Sequence, residues 1–528
     1  MKVLLINPPF TRYERKVEVQ SEEPLGIMYL AAYARQHGYK VDILDAFRGK
    51  ESVYEGGGFY KSGMNDRELK EVIQKIGPDI VGISCMFTMH SKGAHDVAAV
   101  VKSISKDILV LMGGSHPSAM VEWALADPNV DFVIKGEGEL TFLELLQRVE
   151  QGKDYHDMQG IAYRKDDGTI VETCARPFIE DLNTIPLPAR DLVDMSSYLK
   201  DPYRVSMAMR APRANLITSR GCPYTCNYCS IHAVWKNTWR KRSPKLVVDE
   251  LEMLVREYGV KEVAFQDDNL TLDKRRMSEI CDEMLRRKLD IKWCTPNGVS
   301  IWTLDHAVLD KMKASGCYKL TFGLETGSAK TRKFIRKEQQ DFEKAKELIA
   351  YCNKIGIWTH SPFIIGFPYE EAADIEETIR YSETCGLDMA AFFIATPFPA
   401  TDLYKIYEQE GLLPKFKNPT HLEWTGSQQY VMCDTTKFKQ DELRVLVASA
   451  MSRFYWARAK RFFTHPREVF SKLKTWDEIR YFMKLLSVSV SMFRHFAFST
   501  PVHQGKKESF PVAKDAAEDS QFAKISSN

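Results

Sequence analysis

Short apolar runs alternate with amphipathic helical stretches twice along this 528-residue chain, and that alternation restricts the possible folds more than any other feature. In the first series the runs fall at residues 3–6, 41–44, 80–84, 108–112 and 132–134, with helical stretches at 27–37, 66–76 and 94–104. This predicts an α/β domain over 1–152, a doubly wound parallel sheet of flavodoxin-like type. The second series has runs at 216–218, 263–266, 292–295, 319–323, 359–365 and 390–395, interleaved with helices at 244–258, 274–287, 305–314, 342–354 and 373–384. Six such units predict an open, partial (βα)6 barrel over 208–425, with functional groups at the carboxyl ends of its strands. Residues 153–207 read as a linker. It holds a hairpin turning at Lys165-Asp166-Asp167-Gly168 and an extended crossover at Ile185-Pro186-Leu187-Pro188. From 426 to 500 the pattern becomes helical, at 442–463 and 475–496 with a break at His465-Pro466, and predicts a cap over the barrel's open side with its Lys and Arg pointing outward. Residues 501–528, rich in Lys, Glu, Ser and Asp, read as a disordered tail.

Charge and cysteine usage narrow the function. A net charge of +2 provides no global field to gather nucleic acid. One stretch, residues 235–242, is basic with interleaved aromatics, but its place ahead of a helix start suits a wall over a site better than an RNA contact. Of eleven cysteines, all but three are scattered singly, which is no disulfide framework and fits a reducing, cytoplasmic setting. The apolar run at the N-terminus is too short for a signal peptide, and no stretch reaches the roughly 18 apolar residues of a membrane span.

The other three are Cys222, Cys226 and Cys229, spaced Cys-x3-Cys-x2-Cys directly after the run that opens the second series. Three thiolates so close can cap three corners of a 4Fe-4S cluster and leave the fourth iron open; a zinc site completed by His232 is the alternative. In this position the motif resembles the signature of the radical S-adenosylmethionine (SAM) enzymes. The resemblance implies that the amino and carboxylate groups of SAM chelate the open iron, and that an electron from the cluster yields a 5′-deoxyadenosyl radical. It implies SAM contacts at Asp267, Asp268 and Asn269, where many relatives carry Gly-Gly-Glu, and at Glu325 in Gly-Leu-Glu-Thr-Gly-Ser. It adds Tyr228 before the last cysteine, and Gly366 and Pro368 in an adenine-side Gly-Phe-Pro turn. Asp268 has the plainer alternative of a helix cap.

The strand ends of the first series, taken in order, resemble a cobalamin-binding domain of the kind found ahead of many radical SAM enzymes. They are Asn7-Pro8-Pro9, Pro24-Leu25-Gly26, Ser84-Cys85, Gly113-Gly114 and Gly136-Glu137-Gly138-Glu139. The implied cobalamin contacts are Asn7, Pro8, Pro9, Leu25, Gly26, Ser84, Gly113, Gly114, Glu137 and Gly138. The Asp-x-His-x-x-Gly that carries the lower cobalt ligand in other cobalamin domains is absent, which implies base-off cobalamin without a His ligand; His116 stays unassigned. A nucleotide-binding flavodoxin fold is the alternative for this domain.

Together these resemblances imply a cobalamin-dependent radical SAM enzyme that methylates an unactivated carbon of a small-molecule or lipid-like substrate and draws electrons from a flavodoxin or ferredoxin. Oxidative cyclisation, as in the anaerobic magnesium-protoporphyrin monomethyl ester cyclase, is a second reading, and a non-catalytic cobalamin or redox sensor a third. A tRNA methylthiotransferase would need a second cysteine triad near the N-terminus, where Cys85 stands alone. No catalytic acid–base pair is expected, because the cofactors carry the chemistry. The C-terminal helices, aromatic and basic, read as a lid, or as a contact to an anionic membrane surface or a large hydrophobic acceptor.

Overall fold

The computed structural model describes residues 1–12, 22–48, 52–56, 59–199, 208–413 and 433–498; the expected tail lies outside them. The N-terminal half contains β1 (Val3–Asn7), β2 (Phe10–Arg12), β3 (Val41–Asp45), β4 (Ser52–Gly56), β5 (Phe59–Ser62), β6 (Ile80–Ser84), β7 (Leu109–Gly113), β8 (Phe132–Ile134), β9 (Ile161–Arg164) and β10 (Ile170–Glu172). The main sheet runs β10-β9-β8-β7-β6-β1-β3, and its five strands from β8 to β3 are parallel. Alternate residues feed two cores. Leu4, Ile6, Val81, Ile83, Val110 and Met112 pack into one helix layer, whereas Val3, Leu5, Ile80, Leu111 and Phe132 pack into the other. Burial on both faces is why these strands read as unbroken apolar runs. The order of connection reverses between β1 and β6, which opens a crevice beyond their carboxyl ends.

Two features depart from expectation. The hairpin β9–β10 is not part of a free linker; it adds antiparallel to β8 and covers an edge whose backbone groups would otherwise be unpaired. A small antiparallel sheet, β2-β5-β4, was not foreseen, because its strands are short and carry little apolar patterning.

The second half adds β11 (Arg213–Leu216), β12 (Ser219–Gly221), β13 (Trp239–Lys241), β14 (Glu262–Phe265), β15 (Lys292–Val299), β16 (Cys317–Phe322), β17 (Trp358–Ile365) and β18 (Met389–Ile394). Six of these form one parallel sheet, β11-β14-β15-β16-β17-β18, as the six-unit barrel requires. Its helices follow their end signals. Pro244–Tyr258 starts with proline in the first turn after Ser243, ends at Gly259 with φ +65°, and buries Val247, Val248, Leu251 and Leu254 against the sheet. The first strand begins three residues earlier than the apolar run suggested, because Arg213 and Asn215 are buried polar members of it: Arg213 lies 3.6 Å from Glu262, and Asn215 accepts from Gln266.

Helices Gln440–Thr464, Pro466–Phe470 and Trp476–Phe498 form the cap, broken as expected at His465-Pro466. The last helix reaches the inner face of the barrel sheet, where fully buried Tyr481 meets the rings of Tyr318 and Trp358 and Phe482 stacks on Trp358. The expected outward basic face is corrected in part: Lys460, Arg467 and Arg480 are exposed, but other cations turn inward. Arg453 binds Glu376 and Glu383, while Arg458 and Lys472 both pair with Asp388, so these cations pin the cap to the barrel.

Candidate active site between two cofactor domains

The strands β12 and β13 pair in the loop that carries the three cysteines. Gly221 turns the chain with φ +88°, and a Cβ there would lie 2.3 Å from the Thr238 carbonyl oxygen, so no other residue fits. Cys222, Cys226 and Cys229 follow as free, half-buried thiols. Asn227 holds the loop from both sides, donating to Phe334 O (2.8 Å) and accepting from Leu403 N (2.9 Å). Burial pushes all three thiols up, Cys229 to about 12, and the Lys337 ammonium works against that rise. Metal binding would have to displace those protons.

Asp267, Asp268 and Asn269 follow β14 and divide into three roles. Asp267 is buried and accepts from the Thr218 N–H and hydroxyl and from Ser219 Oγ. It ties β14 to the start of the cysteine loop, which corrects the expectation of a SAM contact. Asp268 is reachable by solvent yet hemmed by protein; that desolvation, with Asp267 beside it, pushes its carboxyl up to about 6 against a hydrogen bond from Gly221 N (3.0 Å). Its helix-cap alternative also falls, since Asp273 caps the following helix. Asn269 is buried, with Nδ2 3.2 Å from Ser300 Oγ and 3.9 Å from Cys222 Sγ, while its Oδ1 has no partner among the described residues. A buried orphan acceptor next to a cluster cysteine is a place for a ligand N–H.

Across the barrel mouth, Glu325 has φ +65°, a strained backbone for a non-glycine residue, and its carboxylate pairs with Lys337 at 3.2 Å. Tyr228 lies between the Lys337 ammonium, 5.8 Å from its ring centre, and Phe367 at 6.1 Å. Gly366 and Pro368 belong to a turn that sequence reasoning credited with adenine contact. Glu370, missed from sequence, accepts from Gly366 N (2.6 Å) and Phe367 N (3.2 Å), and burial pushes its carboxyl up to about 7. A Cβ on Gly366 would strike Leu443 of the cap at 2.9 Å, so this glycine serves helix packing, and Pro368 is buried with its carbonyl taken by Thr436.

On the first domain, Asn7, Ser84, Gly113 and Gly114 do stand at strand ends around the switch-point crevice. Gly26 has open space where a Cβ would be, and Met86 and Phe87 are 50% and 54% exposed beside Cys85. Exposed apolar side chains at that edge fit a corrin ring; their only sequence signal was a position just past a strand end. Other expected contacts have different work. Pro8 and Pro9 are buried, and a Cβ on Gly93 would lie 2.0 Å from Pro9 O. Leu25 packs into the barrel's core, and Gly138 gives room to Leu30. His116 is buried with Nδ1 3.1 Å from Thr88 Oγ1, and desolvation pushes it down to about 4.

Glu137 is the clearest correction. Its buried carboxylate accepts from Arg220 (2.8 Å), Arg240 (2.8 Å) and Ile179 N (2.9 Å), while Glu139 accepts from Arg220 at 2.6 Å. Against the upward push of burial, Arg220 holds the Glu139 carboxyl below its ordinary value. The Gly-Glu-Gly-Glu turn is therefore a clasp. It grips the residue two positions before Cys222, and basic residue Arg240 from the 235–242 stretch completes it.

The site thus has free thiols and an orphan acceptor at the strand ends of a half-barrel, clasped to the ligand edge of a doubly wound sheet. No three Cys, His, Asp or Glu side chains among the described residues gather around a point that one ion could fill. Residues 19–146 match the B12 binding domain family and residues 216–382 the Radical SAM superfamily. An uncharacterised methyltransferase of Pyrococcus horikoshii is 34% identical over 417 residues, 78% of this chain and 84% of its own. The cytidylyl-2-hydroxyethylphosphonate methyltransferase of Streptomyces wedmorensis is 29% identical over 502 residues (88% and 92%), and the anaerobic magnesium-protoporphyrin IX monomethyl ester cyclase of Rubrivivax gelatinosus 30% over 411 (77% and 70%). The fold is shared with the radical SAM methyltransferase TsrM of Kitasatospora setae, solved with cobalamin and a [4Fe-4S] cluster: TM-score 0.65, 17% identity, 86% of this chain and 88% of that one. The chain belongs to the radical SAM superfamily, as a member with a B12-binding domain ahead of its barrel.

Proposed function

We propose that this enzyme transfers a methyl group from SAM, by way of cobalamin, to an unactivated carbon of a small molecule. The observation that carries this reading is the clasp: it brings the cysteine loop at the mouth of the barrel against the ligand edge of the cobalamin-type sheet. When bound, the cluster supplies the electron that cleaves SAM, and cobalamin supplies the methyl group. Cys222, Cys226 and Cys229 would hold the iron. The unpartnered Asn269 Oδ1 would accept from the amino group of SAM, with Asp268 as a second acceptor beside it. Glu325 and Tyr228 face the same mouth, where Lys337 neutralises the carboxylate and orients it. Cobalamin would lie over Asn7, Ser84, Gly113 and Gly114 against Met86 and Phe87. Base-off binding without a protein nitrogen rests on the missing Asp-x-His-x-x-Gly; His116 is buried with its Nδ1 on the Thr88 hydroxyl. A reduced flavodoxin or ferredoxin would deliver electrons from outside.

Ring-forming oxidation without methyl transfer is the second reading, favoured by the 30% identity to the cyclase. Methyl-labelled SAM separates the two on extract that contains the substrate. Label in the product establishes methyl transfer; an oxidised product free of label establishes cyclisation.

A further inference from the structure

The inner face of the barrel sheet has a polar step between an apolar wall and the floor formed by the last helix. Along β17 the side chains alternate: Thr359, Ser361, Phe363 and Ile365 are buried, whereas His360, Pro362 and Ile364 are half-buried. The same holds on β18, where Ala390, Phe392 and Ile394 are buried and Met389, Ala391 and Phe393 are not. The buried apolar set packs outward into the helix layer, so the half-buried set faces the interior and is incompletely covered. At the lower end, Ala264, Cys294 and Trp358 are closed off by Tyr481, with Phe482 and Leu485 packed alongside.

Just above that floor stands Lys319. It lies in register with Cys294 on one side and Trp358 on the other, which places it on the interior face. Lys319 is half-buried, and among the described residues its ammonium has no hydrogen bond or ion pair. Other cations of the barrel do have carboxylate partners: Arg213 with Glu262, Lys337 with Glu325, and Lys472 with Asp388. Glu262 is near enough to Lys319 to feel its charge, but it is already held by Tyr318, Met209 N and Arg210 N. The stretch of the last helix from Met483 to Phe498 contains no Asp or Glu that could serve instead. Next to Lys319, His360 Nδ1 lies 3.4 Å from the Thr321 hydroxyl. Desolvation, with Lys319 adding, pushes His360 down to about 3, so the ring is neutral and its Nε2–H is a donor when Nδ1 accepts from Thr321. A half-buried ammonium with no ion-pair partner of its own is a place for the anionic group of a ligand.

We propose that Lys319, with Thr321 and the Nε2–H of His360, binds the phosphate or carboxylate group of the substrate, whose apolar reacting end lies along Ile364 and Phe393. Lys319 sits four residues below Gly323 at the strand end, about 13 Å at the usual rise per residue. The substrate is therefore an elongated small molecule, anionic at the end away from the carbon that reacts. This rests on the reading of the barrel as the methylation chamber, but its test needs no radical chemistry.

The test is calorimetric titration of full-length, cluster-reconstituted protein with octyl phosphate, octanoate and octanol, three probes that share a chain and differ in the head. At least one anion should bind tenfold or more tightly than octanol, and the favoured anion names the substrate class. Lys319→Met should abolish the preference and Lys319→Arg should keep it, with iron content and melting temperature showing that each variant is folded. If Lys319→Met is unstable, Lys319→Gln takes its place. Equal binding of all three probes, no binding of either anion, or a preference that survives loss of the ammonium would overturn the proposal. Any of those results leaves the formation of 5′-deoxyadenosine untouched, so the two readings fail separately.

Discussion

At the scale of single residues, the cluster cysteines and Asn269 make the sharpest commitments. Replacing Cys222, Cys226 or Cys229 by Ala should remove the iron chromophore and SAM cleavage together, because each would cap a separate corner. Asn269→Ala should keep the iron but weaken SAM binding about tenfold, the order expected when one hydrogen bond of about 1.4 kcal/mol is lost. Equal SAM affinity in wild type and variant, read by equilibrium dialysis, would remove Asn269 from the SAM site. Arg220 is held by two buried carboxylates, so Glu139→Ala leaves it Glu137 alone and should cost about 1.5–3 kcal/mol of stability, the order of one charged hydrogen bond. Amide hydrogen exchange across residues 219–229 should rise in the same variant even without cofactors, since the clasp is the contact that fixes Arg220.

At the scale of elements, the Gly366–Glu370 turn yields a pH prediction. The Glu370 carboxyl titrates near 4.5 when unfolded and at about 7 when folded, so the native state holds its proton more tightly. Its contribution to stability is complete below pH 4.5 and is lost as pH rises through about 7. Denaturant titrations should show wild type losing stability between about pH 4.5 and pH 7 on this account, and Glu370→Gln should flatten that slope; parallel slopes would contradict it. The same turn shows what sequence can reveal. Gly366-Phe367-Pro368 was recognisable as a strand-end motif, but its packing under Leu443 depends on a helix some seventy residues later. The parallel strands of both large sheets, the limits of most of the helices read from the sequence and the cysteine loop were legible, because periodicity and local end signals encode them. The clasp was not. Gly136-Glu137-Gly138-Glu139 stands where a cobalamin contact belongs, and nothing local tells a carboxylate whether it faces a ligand or an arginine from another domain. The polar start of β11 was hidden for a similar reason, since Arg213 becomes tolerable in a core only through Glu262, about fifty residues away.

At the scale of the whole molecule, the two domains and the cap work as one unit around the barrel's interior. The last helix seals the floor through Tyr481, so Tyr481→Ala should cost about 3–5 kcal/mol, as large aromatic truncations in cores do. No helix of the described residues is long and apolar enough to cross a membrane. Arg453, Arg458 and Lys472 are turned toward the barrel, which reduces the cap's basic surface to exposed residues such as Lys460, Arg467, Lys474 and Arg480. The protein should therefore stay with the soluble fraction in liposome flotation at low salt, and flotation would show that exposed Phe463, Phe470 and Trp476 seek a bilayer.

The central claim is that the three-cysteine loop and the clasped cobalamin domain act together on SAM. Its most direct measurement incubates anaerobically reconstituted protein with cobalamin, a low-potential reductant and methyl-labelled SAM, and follows both 5′-deoxyadenosine and label on cobalamin by mass spectrometry. Both products should form in wild type, 5′-deoxyadenosine should vanish in Cys226→Ala, and bound cob(II)alamin should show no nitrogen splitting in its electron paramagnetic resonance spectrum. Absence of 5′-deoxyadenosine from iron-replete, SAM-bound wild type would contradict the account.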